Sequence, residues 1–136
     1  MNKGDIMETE TGWEDVEVIH AYTRKDAMDD GVLVDLSGLA REAGFRWPLA
    51  VTRAVYEMLE PSEELKARGQ SVTGRAWDML FILRVAARRG DGQEISFSPL
   101  FLNKPGEPPE HKGLRAVTGP GDDGEPVITV MLPGED

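Results

Sequence analysis

The chain contains no cysteine, which removes disulfides, thiolate metal sites, cysteine nucleophiles and thiol redox chemistry together. Packing and hydrogen bonds must hold the fold. Histidine is nearly as scarce, and two residues, His20 and His111, exclude a three-histidine zinc site within one chain. Long apolar runs are also missing. The longest, Met79 to Leu83, falls far short of the ~20 residues of a membrane-crossing helix, and Met1 to Glu8 hold no apolar stretch of signal-peptide length. A soluble protein of the reducing cytoplasm, without membrane association, is expected. Base is in deficit overall, 15 Lys and Arg against 25 Asp and Glu for a net charge of -10, although residues 70–93 hold four arginines against two aspartates. Residues 1–15 carry five acids against one lysine, and residues 119–136 carry five acids and no base. Phosphate contacts need clustered Lys and Arg, so direct nucleic-acid binding is disfavoured. An acidic protein can instead approach basic partner surfaces, or its charge can serve solubility alone.

What is present suffices for one domain, since 136 residues, 40% of them hydrophobic, can bury a core but cannot readily supply two. Residues 1–15 are too polar to offset their ordering entropy and read as a disordered acidic leader, followed by a single domain over 16–136. Val16 to His20 reads as a short strand. Thr23 can cap a helical turn through Met28, with Asp26 at the capping-box position and Gly31 as the stop. Val32 to Asp35 is extended and could form an edge strand, and Ser37 is placed to cap a short helix over 38–43. Pro48 in a first turn, followed by Leu49, Thr52, Val55, Tyr56 and Leu59, predicts a helix up to Pro61. Ser62 to Gln70 reads as a loop or frayed helix. From Ser71–Thr73 to Arg89 apolar residues cover most of a helical circumference, which predicts a central buried helix carrying Trp77 and Phe81. Beyond Gly90 the period becomes two. Strands are expected around 95–101, 114–118 and 127–132. The fold class is therefore α+β, an antiparallel C-terminal meander of about three strands packed on the long helix, with shorter helices before it.

Chemistry has two candidate locations. Asp122, Asp123 and Glu125 place three carboxylates in the Gly119 to Glu125 turn, the hard oxygen ligands that Mg²⁺ or Ca²⁺ prefers; the alternative is a hairpin connection with an Asx-type bond. His20, Tyr22 and Arg24, with Asp35 nearby, could transfer protons and hold an anion, or could be ordinary strand-end residues. Arg46, Arg53 and Arg84 would form an anion pocket if they converged, and Arg75 and Asp78 are spaced for a helix ion pair. The residues whose convergence would mark a binding site are Tyr22, Arg24, Arg53, Asp78, Asp122, Asp123 and Glu125. No complete catalytic motif accompanies them, and no metal or cofactor is expected.

The segments Val18-Ile-His-Ala-Tyr-Thr-Arg24, Asp30-Gly-Val-Leu-Val-Asp35, Arg41-Glu-Ala-Gly-Phe-Arg46, Thr52-Arg-Ala-Val-Tyr56, Gly74-Arg-Ala-Trp-Asp78 and Gly119 to Pro133 together resemble a family of small uncharacterised proteins associated with bacterial plasmids and phages. That resemblance implies a mobile-element setting and carries no activity or catalytic residues with it. The leading expectation is a non-enzymatic module that binds a host or element-encoded protein. The alternative is a small ligand- or metal-binding enzyme using the His20, Tyr22 and Arg24 cluster or the Asp122, Asp123 and Glu125 turn.

Overall fold

A computed structural model of the chain describes residues 21–90 and 92–135. The leader, the strand expected at Val16 to His20, and His20 itself lie outside the described residues. In chain order the elements are α1 (Arg24–Asp29), β1 (Leu33–Asp35), α2 (Ser37–Glu42), β2 (Leu49–Thr52), α3 (Arg53–Leu59), α4 (Glu63–Ala67), α5 (Val72–Arg89), β3 (Glu94–Phe97), β4 (Leu100–Phe101), β5 (Glu110–His111), β6 (Leu114–Pro120) and β7 (Pro126–Met131). The fold is α+β. Five strands form one sheet in the order β1-β2-β7-β6-β3, while β4 and β5 make a separate two-stranded ribbon. The C-terminal meander is antiparallel, with Ile95 opposite Ala116 and Ala116 opposite Val130. No described helix is long and apolar enough to cross a membrane.

Helix α5 lies against one face of this sheet. Ala76, Met79, Leu80 and Leu83 from the helix meet Leu49, Val51, Leu114, Ala116 and Val130 from the strands, with Val55 and Leu59 of α3 closing the same core. The bounds of α5 follow from local chemistry. Ser71 accepts a hydrogen bond from the Gly74 amide, capping the first turn, and Arg88 and Arg89 complement the negative end of the helix dipole. At α1 the capping box forms as its sequence indicates, Thr23 accepting from the Asp26 amide and Asp26 from the Thr23 amide.

The predicted helix from Pro48 is corrected over its first half. Leu49 to Thr52 is a strand buried at every position, and the helix starts only at Arg53, capped by the Thr52 hydroxyl. Strand β2 pairs antiparallel with β1 and parallel with β7. A strand covered on both faces is apolar throughout, and that run mimics helical spacing when it leads straight into a helix. Ser37 is likewise not a cap. It is the first residue of α2, and its hydroxyl accepts from the Leu49 amide and donates to Asp35, fastening β2 to the preceding turn. The expected strand at 95–101 divides in two, β3 joining the main sheet and β4 leaving it for the ribbon.

Two further expectations fail on α5. Trp77 is 40% exposed and Phe81 58% exposed, because only one side of the helix meets the sheet. Arg75 does not pair with Asp78 as a surface ion pair. It is buried at 5% exposure, where its Nε donates to the Leu59 carbonyl at 3.0 Å and its two terminal nitrogens donate to Met58, Leu102, Gln70 and Asn103. Its guanidinium also lies 4.8 Å from the centre of the Phe101 ring. Burial lowers its pKa from the ordinary arginine value, with Asp78 opposing that shift.

Candidate functional site

The structure brings Arg24 and Asp122 together at the start of α1, while the Tyr22 hydroxyl reaches Asp30 at the other end of that helix. The turn from Gly121 to Glu125 closes the β6–β7 hairpin, with Gly124 at a φ of +83 and the Gly121 amide donating to the Glu125 carbonyl. From that turn the Asp122 carboxylate accepts the Arg24 amide at 2.8 Å and the Lys25 amide at 3.0 Å, two of the free donors at the helix N-terminus. The hairpin tip is thus the lid of a helix that lies almost a hundred positions earlier in sequence. The Arg24 side chain returns the contact, donating to Thr129 Oγ1 at 2.7 Å and the Ile128 carbonyl at 2.8 Å. Partial burial lowers its pKa, an effect opposed by Asp35, Asp122 and Glu125. Tyr22 donates its hydroxyl to Asp30 at 2.8 Å, and that bond raises the tyrosine's pKa above its usual 10.

The other named residues stand apart from this cluster or turn inward on it. Glu125 accepts the Asp123 amide at 2.9 Å within the turn. Arg53 lies at the far end of α1, where its Nε donates to the Gly31 carbonyl at 2.9 Å. Asp78 is on the exposed side of α5. Among the described residues there is no group of three or more His, Asp and Glu placed to hold a metal ion. The chemistry available at the α1 cluster is hydrogen bonding that joins hairpin, helix and sheet.

A different surface emerges along α5. Its exposed apolar side borders the β4–β5 ribbon and β3, and three adjoining hollows of about 450, 360 and 510 Å³ follow that border. Trp77, Asp78 and Leu100 are shared by the first two, and Ile82 and Ser98 by the second and third. Together they form one groove. Trp77, Phe81 and Leu100, the last 49% exposed, are its large apolar groups. Strand β3, on its far wall, is a terminal strand of the sheet. The Thr118 amide donates to the Gln93 carbonyl at 2.8 Å, so in the alternating antiparallel ladder the backbone groups of Glu94 and Ser96 point away from β6. The sequence signal for this surface was an α5 apolar around most of its circumference, a pattern that fits full burial or a helix with a second surface to cover.

The arginine convergence is partial. Arg46 and Arg84 line one cleft of about 550 Å³ together with Arg88, Phe45 and Trp47, whereas Arg53 lies elsewhere. Arg84 is held there by donating to the Ala43 carbonyl at 3.2 Å. Its guanidinium occupies space that a side chain at residue 44 would need, since a Cβ on Gly44 would sit 2.8 Å from the Arg84 Cζ.

Residues 10–136 match a protein family described as a family of unknown function, DUF6573. No curated protein and no solved structure matches the chain.

Proposed function

The chain belongs to DUF6573, a family that brings no activity with it, and we propose from the geometry that it is a non-enzymatic interaction module whose working surface is the α5 groove. The observation that carries this reading is the exposure of Trp77, Phe81 and Leu100 side by side on a structured surface. Contiguous exposed aromatic area of this kind is the usual physical mark of a protein contact, and tryptophan is prominent among the residues that dominate binding energy. The partner proposed is a protein segment in extended conformation, with apolar side chains at alternate positions and basic flanks. Extended backbone suits the outward-facing groups of Glu94 and Ser96 on β3, and alternate apolar side chains suit the groove beside them. Basic flanks suit Asp78 and the net charge of -10. A host or mobile-element factor is the kind of protein proposed, in keeping with the family resemblance. Of the residues whose convergence the sequence offered as a binding site, Asp78 alone lines this groove among the described residues.

The test starts from a partner captured by the full chain and then measures its affinity. Changing Trp77 and Phe81 together to serine is expected to weaken binding more than tenfold in a protein that circular dichroism shows to be still folded, the check being needed because Trp77 is only 40% exposed. Asp123→Asn should leave binding unchanged, and added salt should reduce it. A double variant that keeps the partner at full affinity refutes the reading.

A further inference from the structure

We infer that the cleft between α2, α5 and the sheet is a binding site for a small organic anion with a planar ring, a ligand class separate from the protein partner proposed above. Three arginines, Arg46, Arg84 and Arg88, line it on a chain in which acids outnumber bases by 25 to 15. No acidic residue lines the cleft among the described residues, and none of them makes a salt bridge to these three arginines. Arg84 and Arg88 are one helical turn apart on α5 and therefore face the same way, and Arg46 enters from the loop after α2.

The rest of the lining specifies what the anion must carry. Trp47, 45% exposed, and Phe45 supply aromatic area beside the guanidinium groups, with Leu83 and Ile128 beneath. Planar rings stack on tryptophan and on guanidinium alike, so a ring with an attached carboxylate or phosphate would satisfy both halves of the cleft at once. A volume of about 550 Å³ suits a molecule of that size. Gly44 makes the arrangement specific to this backbone. Its φ of +102 is one that side chains rarely adopt, and its missing Cβ lets Arg84 lie flat across the loop with its Nη1 on the Ala43 carbonyl. Arg84 is thereby aimed, and among the described residues the Ala43 carbonyl is the one acceptor its guanidinium meets. The carboxylate and the phosphate are equivalent to this geometry, and the assay must separate them.

Calorimetric titration of the full chain with adenosine monophosphate and, separately, with 2-naphthoate tests both anions. Adenosine and inorganic phosphate serve as controls for ring and charge alone. At least one ringed anion should bind no less than tenfold more tightly than either control and should change the fluorescence of Trp47. Arg46→Gln with Arg88→Gln should weaken that binding at least tenfold, and Trp47→Leu should lower it towards the level of the charge alone. Arg84→Lys, which keeps the charge and loses the planar fork, should bind several-fold more weakly than the parent. Arg46 and Arg88 are exposed, so that pair decides the matter even if a change at Arg84 disturbs folding. The proposal is overturned if neither ringed anion binds at millimolar concentration, if inorganic phosphate binds as tightly, or if the arginine and tryptophan variants bind like the parent.

Discussion

Replacing Arg75 by methionine removes a buried cation whose guanidinium lies among backbone carbonyls. Five hydrogen bonds disappear, and the carbonyls of Met58, Leu59 and Leu102 lose a charged donor. Two of these carbonyls end α3, where no amide of a following turn is available to them. A buried acceptor without a partner costs about 1–3 kcal/mol. Three of them would set the loss at about 3 kcal/mol or more, and relaxation with water entry should hold it near 5 kcal/mol. Against a total stability of about 5–15 kcal/mol this is a large fraction. For a chain of this length the thermal midpoint should fall by roughly 10–15 °C. Urea unfolding followed by tryptophan fluorescence and by circular dichroism measures the change, with coincident transitions as the check on two-state behaviour. Arg75→Lys is the informative comparison. It restores charge without the planar fork, and a single ammonium cannot reach α3, Leu102 and Asn103 together, so most of the loss should persist. If either variant unfolds within about 0.5 kcal/mol of the parent, the idea that this guanidinium ties α3, α5 and the ribbon together is wrong.

The α1 cluster supports two further predictions. Asp122→Ala should cost about 1 kcal/mol, the usual loss on removing a helix N-terminal acceptor, and should speed hydrogen exchange at the Arg24 and Lys25 amides; the same change at Asp123 should do neither. Ultraviolet titration in a Tyr56→Phe background should place the Tyr22 midpoint above that of free tyrosine, and Asp30→Asn should lower it. The sign follows from the donor: the neutral hydroxyl makes the bond, so its contribution is intact below pH 10 and disappears as pH rises through the folded value. A midpoint at or below that of free tyrosine refutes the bond.

Much of the architecture could be read directly because local chemistry specified it. Ser71, Arg88 and Arg89 mark the limits of α5, Thr23 and Asp26 those of α1, and the alternation after Gly90 marks the change to strand. Strand β2 was hidden for a nonlocal reason. Leu49-Ala-Val-Thr52 is extended because β1 and β7 flank it, and no spacing within the segment records a neighbour at residue 128. The same limit applied to surfaces. The pattern of α5 shows that it is apolar on most sides, but which side the sheet covers depends on packing, so Trp77 and Phe81 read as core. Arg75 looked like half of a helix ion pair because its true acceptors come from α3 and from Leu102. For the candidate sites, the sequence offered Arg46 and Arg84 as potential neighbours, and only the path of the backbone separated them from Arg53 and added Arg88, Phe45 and Trp47.

The parallel contact between β2 and β7 has a consequence for biosynthesis. Leu49 lies opposite Ile128, and β7 is wedged between β2 and β6. As the polypeptide leaves the ribosome, β2 is exposed to solvent along one edge, and the hydrophobic floor beneath α5 stays incomplete, until the residues through Met131 have emerged. Helices can form on the way out, but the sheet can close only afterwards, in a slow step dominated by loop-closure entropy. Nascent chains halted before Pro126 should therefore engage chaperones and resist conversion to a protease-stable form, whereas chains extended past Met131 should acquire it in a single step.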